Sequence, residues 1–214
     1  MYNIRFTFVF LSIIFLALGC SSNKIFKDKW VKKQAPETFK ARFETTKGNF
    51  EIEANRSWSP KGVDRLYQLI TSEFYTDIAL FRVVPDFVVQ FGIHNDSVLN
   101  KSWESFKIPD EPVLEANVEG AISFARGGEE SRTTQIFINL ESNSPRLDTI
   151  FYSGVRGFPV VAKVTNGMDI VNTFYQDYGN EPATKQDSIQ LKGNDYLRKN
   201  YPKLDYINKA YIIK

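Results

Sequence analysis

GAISFARGGEESRTTQIFINL, residues 120–140, holds two short strand-like runs around a polar loop, and its second run decides the fold. In TQIFINL successive side chains alternate faces, so Ile136, Ile138 and Leu140 share one surface while Gln135, Phe137 and Asn139 share the other. The aliphatic surface belongs inside a sheet that closes on itself. Phe137 then stands on the outer face beside Gln135, where a lone aromatic calls for an explanation. FRVVPDFVVQFG, residues 81–92, supplies one: Val88 and Gln90 share a face, and parity adds Arg82, with Pro85-Asp86 marking a bend or an edge. Taken alone, Arg82 reads as a solvated strand charge. Taken with Val88, Gln90, Gln135 and Phe137 it lines an outer groove that is apolar with a few directed polar groups, as binding sites usually are.

Outward from these two strands, FKARFETT and NFEIEAN alternate around Lys47-Gly48 and predict a β-hairpin. SPKGVDRLYQLITSEFY predicts an amphipathic helix with Ser59 as N-cap, Pro60 at the first helical position and Val63, Leu66, Tyr67 and Ile70 on one face. IALFRVV, PVVAKV and the terminal DYINKAYIIK read as further strands, and MDIVNTFYQDYG has helical spacing at Ile170, Val171 and Phe174. Many short strands with two or three helices predict a mostly antiparallel sheet closed on itself and capped by helices. Residues 180–202 fit least well and read as an insertion with a short helix around Tyr196 to Asn200.

Over 214 residues the formal charge is +2, with lysines scattered rather than striped, which gives nucleic acid no obvious footprint. A single histidine, His94, and a single cysteine, Cys20, argue against most metal sites and against any internal disulfide. His94 reads as a surface-loop residue, and Asp110 and Glu111 as ordinary loop charges. The first twenty residues, MYNIRFTFVFLSIIFLALGC, place one positive charge before an apolar run that ends at Gly19-Cys20, the pattern of an export signal. A spanning helix is the alternative, because the run approaches bilayer length. ALGC followed by SSNK resembles a bacterial lipoprotein signal, in which the cysteine is lipidated and becomes the first residue. The expected organisation is a lipoprotein signal peptide over 1–19, a lysine-rich lipidated tether over 20–37 and one folded domain over 38–214.

The succession of FRVVPDFVVQFG, GAISFAR and QIFINL, after a hairpin and a helix beginning SPKGVDRL, resembles a cyclophilin-type peptidyl-prolyl cis-trans isomerase from Phe39 to Ile213. The resemblance implies an eight-stranded closed antiparallel β-barrel capped by two α-helices, here with a C-terminal helical insertion before the last strand. It implies that Arg82 is the catalytic arginine. It also implies that Phe87, Val88, Gln90, Arg126, Gln135, Phe137, Leu147 and Phe158 form the substrate groove, Arg126 largely through its backbone, with no cofactor and no metal. Four positions depart from the family: Phe81 and Phe158 stand where histidines are usual, Arg146 where tryptophan is frequent, and Arg126 where asparagine is expected. The implied activity is rotation of X-Pro amides in exported clients. The alternative is a catalytically weak cyclophilin-like module that binds proline segments as a chaperone or assembly factor. Partners would be proline-containing polypeptides and, through Cys20, a membrane of the bacterial cell envelope, with no nucleic acid and a monomeric chain.

Overall fold

The first two strands show how apolar alternation builds this protein. In β1 (Thr38–Thr45) and β2 (Gly48–Asn55) every second side chain is buried, and Phe43 and Phe50, opposite each other in the ladder, stack at 4.9 Å. The computed structural model describes residues 25–214. Cys20 and the expected 1–19 signal lie outside the described residues. After the hairpin come α1 (Pro60–Thr71), β3 (Ile78–Ala79), β4 (Arg82–Val84), β5 (Val88–Phe91), α2 (Ser97–Glu104), β6 (Ala121–Phe124), β7 (Ile136–Asn139) and α3 (Arg146–Thr149). The chain continues through β8 (Phe151–Tyr152), β9 (Val155–Arg156), β10 (Val160–Asn166), α4 (Met168–Val171), a 3-10 turn at Pro182–Lys185, α5 (Gln186–Asn200) and β11 (Tyr206–Ile213).

Nine strands form one curled antiparallel sheet in the order β3-β11-β1-β2-β10-β6-β7-β5-β4, and β8–β9 form a separate hairpin. This differs from the expected eight-stranded closed barrel. The ladder runs from β3 to β4 and no hydrogen-bonded pairing joins those two ends. The reason is the chain itself: β3 and β4 are consecutive and separated only by Leu80-Phe81. Leu80 N–H still donates to Asp205 C=O (2.9 Å), and two residues later Arg82 pairs with Gln90. The seam is covalent rather than hydrogen-bonded.

The main core includes Phe43, Phe50, Ile52, Phe91, Phe124, Ile136 and Ile138, and α1 adds Val63, Leu66 and Ile70 by packing on β10 and β11. Ser59 is the N-cap residue, but its hydroxyl makes no cap bond. The Glu111 carboxylate takes that role, accepting from the N–H groups of Lys61 (2.8 Å) and Gly62 (3.0 Å) and from the Ser59 hydroxyl. Glu111 also pairs with the fully buried Arg132 at 3.0 Å, so it is not an ordinary loop charge.

Two further expectations differ from the structure, and one helix was not expected at all. Part of the expected tether is docked: Phe26, Trp30 and Val31 pack on the main core, Trp30 stacks on Trp103, and Gln68 Nε2 donates to the carbonyls of Val31 and Lys33. Aromatic burial there outweighs the lysines that dominate the segment's composition. His94 is half-buried against Phe74 and its Nδ1 accepts from Asp96 N–H (2.9 Å). Helix α2, unforeseen, starts at Asp96, whose carboxylate caps Val98 and Leu99, and buries Leu99 and Trp103 one turn apart. Among the described residues no helix is long and apolar enough to cross a membrane.

Candidate active site

Directly opposed residues of an antiparallel ladder share a face. The register places Arg82 of β4 opposite Gln90 of β5, Gln90 opposite Phe137 of β7, and Phe137 opposite Ser123 of β6. One row across four strands therefore carries the outer groove. Parity survives Pro85-Asp86 because those residues form a tight turn, in which Phe87 N–H donates to Val84 C=O (3.1 Å) and Asp86 takes φ 55°. The turn holds Phe87 at the groove's edge.

Val88, Phe137 and Leu147 form a small buried apolar cluster, flanked by Phe87, Ala125 and Phe158. Leu147 comes from α3, and Phe158 N–H donates to its carbonyl (2.8 Å), which ties these two wall segments together. Phe158 meets Phe137 edge-on at 5.6 Å. These residues, with Arg82, Gln90, Arg126 and Gln186, line a cavity of about 250 Å³. Gln135 lines an adjoining cavity of about 210 Å³, which also borders Gln90, Arg126 and Gln186. Behind the apolar wall lies a polar network: Asn117 donates from its backbone and its amide to Asp148 (both 2.8 Å) and from its amide to Phe158 C=O (2.9 Å). Burial alone would raise the Asp148 pKa, but hydrogen bonds from Ser144 and Asn117 outweigh it and hold the group below its ordinary value.

The polar side of the groove is a directed chain. Arg82 Nε donates to Asn180 Oδ1 (2.6 Å) and Nη1 to Gln90 Oε1 (2.8 Å); Gln90 Nε2 donates to Gln135 Oε1 (2.9 Å), and Gln135 Nε2 to Gln186 Oε1 (2.9 Å). Each acceptor fixes the orientation of the next amide, so the donors all run one way. The Arg82 guanidinium lies 5.4 Å from the Phe87 ring, and Arg146 lies 4.6 Å from the same ring. Burial lowers the Arg82 pKa from its ordinary value, yet a guanidinium stays protonated at neutral pH.

The sequence-predicted residues thus converge, with one change of role. The Arg126 side chain stacks on Phe158 at 4.5 Å and donates to the carbonyls of Tyr152, Val155 and Gly157. It is a wall and a clamp on the β8–β9 hairpin. Asn180 and Gln186, from the insertion, were missed. They carry no local pattern, and lie 98 and 51 residues from the partners they meet. A larger cavity, about 680 Å³, is bordered by Asp110, Glu111, Glu129, Glu130 and Asp148 and lacks an aromatic floor for an apolar ring. Among the described residues no group of three His, Cys, Asp or Glu side chains could hold a metal.

Solved structures share this fold. A Cryptosporidium parvum cyclophilin-type isomerase matches with a TM-score of 0.60 at 18% identity, covering 83% of this chain and 98% of that one. A Hirschia baltica cyclophilin matches with a TM-score of 0.56 at 14% identity, covering 89% of this chain and 82% of that one. The fold is therefore cyclophilin-like. Among curated proteins, peptidyl-prolyl cis-trans isomerase A of Dickeya dadantii is 30% identical over 135 residues, 62% of this chain and 68% of that protein. A peptidyl-prolyl cis-trans isomerase of Acinetobacter baylyi is 29% identical over 132 residues, 60% of this chain and 67% of that protein. The model of the family described as cyclophilin type peptidyl-prolyl cis-trans isomerase/CLD matches residues 40–193. The chain belongs to that family, and its activity is peptidyl-prolyl cis-trans isomerisation.

Proposed function

We propose that Arg82 catalyses this isomerisation by donating to the prolyl nitrogen as the X-Pro amide twists. Rotation about the amide costs ~18–20 kcal/mol because resonance is lost, and no covalent bond has to break. In the twisted state the nitrogen becomes pyramidal and gains a lone pair. A donor fixed beside it binds that state more strongly than the planar one. The supporting observation is the cross-strand row that sets Arg82 at the edge of an apolar cavity floored by Phe137, with Phe87 and Leu147 placed to hold a pyrrolidine ring. Gln90 would hold the substrate backbone on one side of the rotating bond. A Cryptosporidium parvum relative has been crystallised in the presence of the dipeptide Ala-Pro, which fits a groove that takes proline.

The test is exchange-NMR isomerisation of a short X-Pro peptide by wild type and Arg82→Ala. Loss of one transition-state donor is expected to lower kcat/KM by about 10²–10³-fold, with peptide affinity changed far less. A variant within about threefold of wild type would remove Arg82 from the catalytic role and leave the isomerisation to the rest of the groove.

We further propose that the protein is lipid-anchored through Cys20 in the bacterial cell envelope and acts on exported polypeptides. The basis is the apolar run ending in ALGC. Metabolic labelling with a tritiated fatty acid should mark the wild type and spare Cys20→Ser; equal labelling of both would remove the proposal.

A further inference from the structure

The insertion before β11 does more than brace the sheet. Its apolar side closes a second core in which Ile189, Leu197 and Tyr201 pack with Phe81, Ala79 and Ile93. Phe81 is 1% exposed and directly precedes Arg82, so the insertion grips the strand that carries the arginine from its opposite face. Polar contacts fix the insertion at two further points. Asn194 Nδ2 donates to the backbone carbonyl (2.7 Å) and the carboxylate (2.9 Å) of Asp77, and Asn194 N–H donates to Asn95 Oδ1 (2.7 Å). Gly193 permits this approach, having φ +59° and a position where a Cβ would sit 2.2 Å from Asn95 Oδ1. So held, the insertion places Asn180 and Gln186 at the two ends of one hydrogen-bond chain. Asn180 accepts from Arg82 Nε, and Gln186 accepts from Gln135 after the chain has passed through Gln90.

We propose that the insertion is part of the active site, with Asn180 as the positioning residue of Arg82 and Gln186 as a determinant of substrate choice. This rests on the reading of Arg82 as the donor to the prolyl nitrogen. A guanidinium on a flexible stem sweeps a wide arc. With Nε held by Asn180 and Nη1 by Gln90, its plane is set and Nη2 is left to meet the substrate. Gln186 borders both the 250 Å³ and the 210 Å³ cavities. A peptide that seats proline in the first and a flanking residue in the second must pass it. Its Oε1 is engaged by Gln135, so it offers its Nε2 as a donor. The substrates it favours are X-Pro segments with a hydrogen-bond acceptor, a peptide carbonyl or a polar side chain, beside the proline.

The experiment uses the full chain in detergent. Exchange NMR on a panel of X-Pro peptides with varied flanking residues is run for wild type, Asn180→Ala, Asn180→Asp and Gln186→Ala, and the Arg82 Nε–H resonance is followed in ¹⁵N-arginine spectra. Asn180→Ala should lower kcat by about tenfold with KM within about twofold, and should shift the Nε–H signal and speed its solvent exchange. Asn180→Asp, which keeps the acceptor, should restore both. Gln186→Ala should change the ratio of kcat/KM between acceptor-bearing and apolar flanks by about threefold or more. An active wild type whose Asn180→Ala variant keeps its kcat and its Nε–H signal would overturn the positioning role and leave the insertion a brace. Unchanged ratios in Gln186→Ala would overturn the specificity role. An inactive wild type would instead overturn the isomerase reading, and the Nε–H signal of Asn180→Ala would then decide the positioning contact alone.

Discussion

Glu111→Gln is the substitution whose cost the structure specifies best. Glu111 Oε2 meets Arg132 Nη2 and Gly62 N–H, both at 3.0 Å, while Oε1 accepts from Lys61 N–H at 2.8 Å. The Arg132 side chain is 0% exposed and that of Glu111 11%, so solvent does little to screen the pair. Neutralising Glu111 leaves a buried guanidinium without its counter-charge, at a cost of roughly 3–5 kcal/mol. Glutamine still offers one oxygen to the first turn of α1, whereas Glu111→Ala removes the cap as well and should cost about 1 kcal/mol more. Arg132→Met leaves the carboxylate with the N–H groups of a helix N-terminus, so it should cost less than Glu111→Gln. The double variant should lose well under the sum of the two singles, because neither charge is then stranded. Urea unfolding followed by tryptophan fluorescence measures all four differences, and each kcal/mol should move Tm by about 2–4 °C. Glu111→Gln within about 1 kcal/mol of wild type, or a strictly additive double variant, would refute the reasoning.

Two further outcomes are expected. The Asp148 pKa lies below its ordinary value of 3.8, so its stabilisation is fully present above that value and is lost as pH falls through the folded value. Asp148→Asn should cost about 1 kcal/mol at pH 7, and its deficit should shrink as pH falls below 3.8 through the folded value; a urea-midpoint difference that stays constant into strong acid would contradict this. Trp30 stacks on Trp103 at 6.3 Å, and Phe26 meets both rings edge-on. Trp30→Ala should therefore lower stability by about 2 kcal/mol, and an unmoved unfolding midpoint would mean that the segment is a loose tether after all.

What could be read from the sequence follows the range of the interactions. Period-two alternation is local, and it placed Ile136 and Ile138 inside and Gln90, Phe137 and Arg82 in one outer groove, where the register sets them. The helix signals Ser59-Pro60 marked the right boundary, but the capping group is a carboxylate 52 residues beyond Ser59. Local composition misled wherever burial depended on distant partners. Phe26 and Trp30 were hidden among lysines, and Glu111 was indistinguishable from a solvated loop charge until Arg132 met it across 21 residues. Helix α2 had a readable signal in Asp96 with Leu99 and Trp103, overlooked because its run is only two turns long. Asn180 and Gln186 had none, since their contacts exist only once the insertion has docked.

The seam of the sheet and the arrangement of the site are one structural problem. At Leu80-Phe81 the chain leaves the ladder with β11 and joins the ladder with β5, so no strand neighbour holds the backbone from both sides there. A polar residue at position 81 would face the second core without a partner, whereas Phe81 fills it against Ile189, Leu197 and Tyr201. Phe81 is thus the counterpart of the insertion: the helix requires an apolar anchor, and the seam requires a covering element. One residue later the side chain points the other way, into the groove, where Asn180 from the same insertion meets it. The insertion therefore grips the Phe81-Arg82 step on both faces of the strand. Rigidity lost at the seam through the missing ladder is regained through side-chain packing beside Arg82, the residue proposed as the donor.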